Sequence, residues 1–366
     1  MSVATGNPEI LTSPLADRHP ATAVVERIGA ADVVRHYGDA ASEYLGLRSH
    51  GARIDLSGAG LVEVTGPDAF DLVQGALTRD LEFVTPEQSL VGALLDDDGH
   101  PVDIVTAYNV GDGFRLETSL GTGPAVIEHL KGLAERVGLD VGFRLGNPET
   151  TIILVEGPKV ATLLGGAIHR DIPAMPLMGV RKAELGGVPV TLVRSGFTGE
   201  YGYKFFVATE HAAAVWDALQ DLTPAGSQAL ETAMLEVRQP IAHKELPAAG
   251  NALQLGWSWL VDVTKDDYVG RAALMDAFEG GARAETVGFT TEGTEPVAAG
   301  SDVRLGDEAV GLVLHSVYSP GLGKVLGLAR IEPELVAPGQ EFGLDGDRAG
   351  LTLVAPYLTP ASWARS

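Results

Sequence analysis

Glycine recurs at every third position, Gly196, Gly199 and Gly202, within the stretch Ser195-Gly-Phe-Thr-Gly-Glu-Tyr-Gly-Tyr-Lys-Phe205, and this pattern constrains the chain more than any other. Leu192 and Val193 end an apolar run before it, while Phe205, Phe206 and Val207 begin another after it, so the stretch joins two strands. Each glycine supplies positive-φ freedom or a backbone approach that a Cβ would block. Taken alone, an ordinary Gly-rich strand connection accounts for it, so its meaning depends on the surrounding chain.

A strand, a Gly-Pro break and a helix occur in that order twice. Residues 53–64 have strand composition, Gly66-Pro67 stops the strand, and Ala69, Phe70, Leu72, Val73 and Leu77 take helical spacing. The run Ile152-Ile-Leu-Val-Glu-Gly-Pro158 is followed in the same way by Val160, Leu163 and Leu164. Between the two units the sequence predicts strands over 89–95, 104–110 and 113–118. An amphipathic helix follows, with Val126, Ile127, Leu130, Leu133 and Val137 on one face. Helical spacing returns over 211–221, 228–238 and 270–278, and past Gly280-Gly281 the texture changes. Residues 283–358 are short apolar strands split by Gly, Pro and Asp turns, which predicts a separate all-β barrel or sandwich. Pro8, Pro14 and Pro20 among small and polar residues predict a weakly structured or wrapping arm over 1–35. The fold class is α+β, with a main region over 36–280 and a C-terminal domain over 281–366.

Composition narrows the chemistry. The 49 acidic against 26 basic side chains give a net charge of −23, which repels phosphate backbones and anionic membranes, so neither nucleic acid nor membrane is expected as a partner. A chain without cysteine has no disulfide, thiolate nucleophile or Cys-ligated metal. His and carboxylate spacings match no zinc or di-iron pattern, so no metal is expected. With no leader-like or long apolar run, a cytoplasmic location is the expectation, with a small molecule as substrate.

An ordered series of motifs then resembles one family, the glycine-cleavage T-protein (aminomethyltransferase) superfamily. The series comprises Glu43-Tyr44 before Leu47-Arg48, Ile54-Asp-Leu-Ser57, both Gly-Pro units, and Asp98-Gly99 ahead of Asp103. It continues through the Gly-Phe-Thr-Gly-Glu-x-Gly-Tyr stretch, Leu235-Glu236, Asp267-Tyr-Val-Gly-Arg-Ala-Ala-Leu274 and Tyr318-Ser-Pro-Gly-Leu-Gly323. The resemblance implies two intertwined α+β subdomains and a C-terminal β-barrel enclosing a central cavity. It also implies tetrahydrofolate-dependent aminomethyl transfer or demethylation, with an Asp at the reacting amine, a Glu on the pterin and tyrosines along an aromatic slot.

Several of these positions are replaced here. The pterin Glu falls on Lys204, which cannot accept the paired N–H donors of a pterin edge and so counts against tetrahydrofolate. The family's Arg falls on Leu230, one Tyr on Phe197, and two adjacent Tyr on Leu177 and Met178. In the family's Gly-Gly-x-x-Asp-Asp pattern, Asp103 occupies the first Asp position and Ile104 the reactive one, unless a one-residue slip returns Asp103 to the cavity. His243, where the family's Tyr-Gly gives way to Ala242-His243, is a candidate for proton transfer near neutrality, or else a surface His. Arg238 and Gln239 either contact ligand or cap a helix, and Tyr108 either lines the cavity or packs in a core. The expected catalytic pair is therefore Asp103 and His243, with Lys204, Tyr108, Phe197, Gln239, Arg238 and Met178 around the ligand. Three readings follow: a one-carbon transferase or demethylase with a remodelled pocket, a folate-independent acid–base enzyme on the same fold, or a non-catalytic binding protein.

Overall fold

The computed structural model describes residues 10–248, 250–281, 284–345 and 348–364. One sheet of six strands runs in the order Val180–Leu185, Val188–Val193, Gly202–Ala208, Thr150–Glu156, Ala52–Asp55 and Thr223–Pro224. A second, of five, runs Ser89–Leu95, Pro101–Asn109, Gly113–Leu120, Ala59–Thr65 and Gly142–Leu145. Strands between Glu285 and Leu353 close into a six-stranded barrel, the all-β unit expected past Gly281; residues 282 and 283 at its border lie outside the described residues.

The single strand expected over 53–64 is two strands, one in each sheet, and this crossing intertwines the subdomains. Asp55 makes the break, its Oδ1 accepting the Ser57 amide at 2.9 Å and hydroxyl at 2.6 Å. Gly58 completes it, because a Cβ there would meet the Val33 side chain at 2.8 Å. Both Gly-Pro units do start helices, Ala69–Ala76 and Val160–Ala167, with Gly66 and Gly157 at positive φ. Each helix covers its own sheet: Leu72 and Val73 pack in one apolar cluster, Val160 and Leu164 in another. Helix Gly123–Val137 buries Val126, Leu130 and Leu133, but Val137 is exposed; it is the last helical residue, beyond the turn where the buried face ends.

Part of the expected arm is ordered as a hairpin, Val24–Ile28 against Ala31–His36, and residues 1–9 lie outside the described residues. Upstream of the hairpin, the Ser13 hydroxyl and the His19 imidazole both reach Asp55, fastening this segment to the crossing point. Between the two sheets a third core of Ile54, Leu61, Ile152, Leu154 and Phe206 packs against helices Ala40–Ser49 and Ser227–Glu236. Among the described residues no helix is long and apolar enough to cross a membrane.

Candidate functional site

The Gly-rich loop is shaped by a buried carboxylate. Glu156, fully buried at the end of its strand, accepts the Phe197 amide at 2.7 Å, the Thr198 amide at 2.9 Å and the Thr198 hydroxyl. Burial outweighs these donors and pushes its carboxyl above the usual range. Gly196 and Gly202 stand back to back, since a Cβ on Gly202 would meet the Gly196 Cα at 2.6 Å, and Gly199 holds a φ of +76°. The loop thereby aims the Phe197 ring into a cavity between the five-stranded sheet and helix Ser227–Glu236.

That cavity holds about 100 Å³. Leu56, Ile104, Leu120, Leu230, Met234 and Pro240 give it apolar walls, and Glu117, Ser119, Glu231, Gln239 and His243 give it polar ones. Two clefts flank it. One, of about 530 Å³, shares Phe197 and Gln239 with it; the other, of about 290 Å³, shares Glu231, Ile241 and His243.

At one end Lys204 is fully buried, and its Nζ lies 2.6 Å from Glu117 Oε1 and 4.4 Å from the centre of the Phe197 ring. The Tyr108 hydroxyl donates to Glu117 Oε2 at 2.7 Å. Burial, then the Glu117 charge, keeps that phenol protonated. Lys204 and Tyr108 thus stand behind Glu117, which faces the cavity, rather than lining it themselves. At the other end lies Glu231. Its Oε2 pairs with Lys244, while its buried Oε1 has no hydrogen-bond donor and the His243 Nε2 stands 3.4 Å away. Burial, more than any neighbouring charge, holds the His243 pKa below its ordinary value, so the imidazole is neutral at pH 7.

The slip that would bring Asp103 to the cavity is not present. Ile104 lines the cavity, whereas Asp103 is buried on the opposite face, its Oδ2 accepting the Ser119 amide at 3.0 Å and the Thr122 hydroxyl at 2.6 Å. Strand alternation separates these neighbours, and burial pushes the Asp103 carboxyl up. Arg238 also stays out of the cavity: it pairs with the fully buried Glu245 at 3.1 Å and donates to the Leu255 carbonyl at 2.5 Å. Met178 sits at a positive φ with its backbone tied to Ser89 and Arg194, away from the cavity, and the neighbouring Leu177 borders the larger cleft. Of the eight expected residues the structure brings His243, Phe197 and Gln239 to the cavity wall.

Two acids at the cavity, Glu117 and Glu231, were not picked out from sequence. Their signal was indirect. A lysine inside the apolar strand Tyr203-Lys-Phe-Phe206 requires a buried carboxylate, but nothing in the chain order names a residue from the other sheet. Asp96, Asp98 and His100 gather in a turn, with His100 half exposed and hydrogen bonds running within the turn itself.

Two sheets crossed by one chain are joined to a closed barrel. The GCVT N-terminal domain family matches residues 17–265, and the glycine cleavage T-protein C-terminal barrel domain matches residues 285–357. Similar chains include an aminomethyltransferase of Streptomyces coelicolor, 30% identical over 326 residues that cover 86% of this chain and 87% of that one. Another is an aminomethyltransferase of Mycobacterium bovis, 31% identical over 353 residues covering 92% and 93%. In three dimensions the chain is similar to the glycine cleavage system aminomethyltransferase T of Bartonella henselae, with a TM-score of 0.83 and 20% identity, covering 95% of this chain and 98% of that one. The chain belongs to the glycine cleavage T-protein family and is an enzyme of the aminomethyltransferase type.

Tetrahydrofolate does not fit these residues in the manner the resemblance implied. At the position that the resemblance assigns to the pterin carboxylate stands an ammonium, which can only donate, and both oxygens of the nearby Glu117 already take donors.

Proposed function

We propose that the chain is a one-carbon transferase or demethylase that moves a methyl or aminomethyl group from a small amine, held between Glu231 and His243 in a remodelled pocket, to a nucleophilic acceptor, the amine nitrogen taking a proton in place of the lost carbon and the acceptor giving one up. The observation that carries this reading is Glu231 Oε1, an acceptor buried in the cavity wall without a donor, beside a neutral imidazole. An amine N–H of the substrate supplies the missing donor, and His243, free of charge at pH 7, takes or returns the proton. The apolar walls exclude water and strengthen the carboxylate's hold on a charged or partly charged nitrogen. Glu231 and His243 thus fill the role expected of Asp103, from the helical side of the cavity instead of the sheet.

A second reading, folate-independent acid–base chemistry on another small molecule, draws its support from the Lys204–Glu117 pair at the pterin position. One experiment tests both. The purified protein is given small N-methylated amines carrying ¹³C-methyl groups together with an acceptor, either tetrahydrofolate or a small thiol, and the label is followed by NMR. The first reading expects the label to leave nitrogen at a rate that Glu231→Gln and His243→Gln each lower by at least about tenfold. A rate indifferent to both substitutions overturns it, and conversion of the amine with its label still on nitrogen favours the second.

A further inference from the structure

We infer that Lys204 and Glu117 occupy the pterin place from within, so that this cavity selects a small ammonium ligand and rejects a pterin. The ligand class rests on the reading of the cavity given above; the rejection stands on the ion pair alone.

Lys204 projects from the six-stranded sheet, where its backbone is in register with Val193 and Leu154. Glu117 projects from the five-stranded sheet, in register with Thr106 and Leu61. Their ion pair therefore bridges the two subdomains at the floor of the cavity. Neither partner is free to turn toward a ligand. Tyr108 holds the second Glu117 oxygen, and its own ring packs edge-on against Phe206 at 5.1 Å. Phe197, fixed by the Glu156-bound loop, lies over the Lys204 ammonium, and each contact favours keeping the charge where it is.

A ligand that displaced this pair would have to separate two buried opposite charges and satisfy both. The paired N–H donors of a pterin edge ask for both oxygens of one carboxylate, and Glu117 can offer them only by giving up the bonds from Lys204 and Tyr108. In the wall of the cavity of about 100 Å³, Glu231 Oε1 is buried with no hydrogen-bond donor, and Leu230 and Met234 of the same helix give that wall apolar neighbours. That combination suits an alkylammonium with at least one N–H and a few methyl or methylene groups. The ion pair also explains why one substitution cannot rebuild the pterin place. Lys204→Glu alone would set two buried carboxylates side by side, so an acceptor can be restored only if Glu117 is replaced as well.

Thermal melting with dimethylammonium or with tetrahydrofolate at about 1 mM tests the inference on the wild-type protein, Glu231→Gln and the double variant Lys204→Glu/Glu117→Ser. Dimethylammonium should raise the wild-type melting temperature, and Glu231→Gln should abolish that rise. Tetrahydrofolate should leave the wild type unmoved and raise the melting temperature of the double variant. Tetrahydrofolate binding to the wild type at low micromolar concentration overturns the inference, whether or not the double variant folds. A dimethylammonium shift that persists in Glu231→Gln overturns the ligand assignment. Absence of amine turnover together with absence of tetrahydrofolate binding would remove the proposed function while the rejection of pterin stands.

Discussion

Arg48 and Glu236 meet at 2.7 Å in a place where the Glu236 side chain has no solvent exposure. Tyr44 and Ser319 donate to the other carboxylate oxygen at 2.6 and 2.5 Å, and the Glu236 carbonyl accepts the Tyr357 and Leu358 amides. One residue thereby joins helix Ala40–Ser49, helix Ser227–Glu236, the barrel and the segment after it. Arg48 adds the Gly-rich loop through the Thr198 carbonyl at 2.8 Å. These are the residues on which much of the family resemblance rests, and their work is joinery. Glu236→Gln keeps the shape but removes the charge opposite a guanidinium that is nine-tenths buried, so it should cost about 3 kcal/mol in urea unfolding. A loss below about 0.5 kcal/mol would show that Glu200, 3.4 Å from the same guanidinium, is sufficient alone.

Joinery of this kind is legible in a sequence because it needs fixed residue types at fixed places. The Gly-Pro units, the glycine stretch and the turn-rich barrel were readable for the same reason: each imposes a local backbone demand that few residues meet. The cavity was less so. Whether Asp103 or Ile104 faces it depends on strand register, and the register against Ser89–Leu95 shifts between Leu94 and Leu95, an irregularity that hydrophobic alternation does not announce. The partner of Lys204 comes from the other sheet, so no spacing along the chain connects Lys204 to Glu117.

Because Asp103 turns away from the cavity, Asp103→Asn should leave turnover within about twofold of wild type, far short of the loss expected on removing an acid–base group. Its effect belongs to stability. Burial raises the carboxyl pKa in the folded state above its unfolded value, so the folded protein holds this proton more tightly. Ionisation therefore destabilises the wild type progressively as pH rises from the unfolded value through the folded one. Asparagine does not ionise. Urea denaturation at about pH 4 and about pH 7 should show the variant gaining on the wild type at the higher pH. An equal difference at both would mean that Asp103 does not titrate on unfolding.

His243 carries the opposite sign. Burial depresses its folded pKa below the ordinary 6.5, so the unfolded chain takes up the proton first and stability is lost as pH falls through that interval. As a general base the neutral imidazole is the active form, so the rate should decline in acid with a bend below 6.5. His243→Gln should flatten that limb and lower the plateau by at least about tenfold. If the variant keeps the same bend, another group sets the limb and the proton-transfer role of His243 is lost.

Glu200 governs the far side of the Gly-rich loop. Its carboxylate accepts the Ala361 and Ser362 amides, each at 2.9 Å, together with the Ser362 hydroxyl, and Trp363 Nε1 donates to the Gly199 carbonyl at 2.8 Å. The segment Ala361–Trp363 is thus strapped across a loop whose opposite flank carries Phe197, the ring that both lines the cavity and covers Lys204. Glu200→Ala removes the acceptor for two backbone amides and should cost about 2 kcal/mol in urea unfolding. Limited proteolysis should then cut the variant near residues 359–363 faster than the wild type, and tryptophan emission should shift as Trp363 leaves the loop. Since Phe197 and Gln239 form the wall shared by the cavity and the larger cleft, loosening this loop should raise KM for the amine while kcat stays close to wild type. Faster cleavage with an unchanged KM would mean that Glu200 holds the segment Ala361–Trp363 alone and that Glu156, from the other side, positions Phe197 unaided.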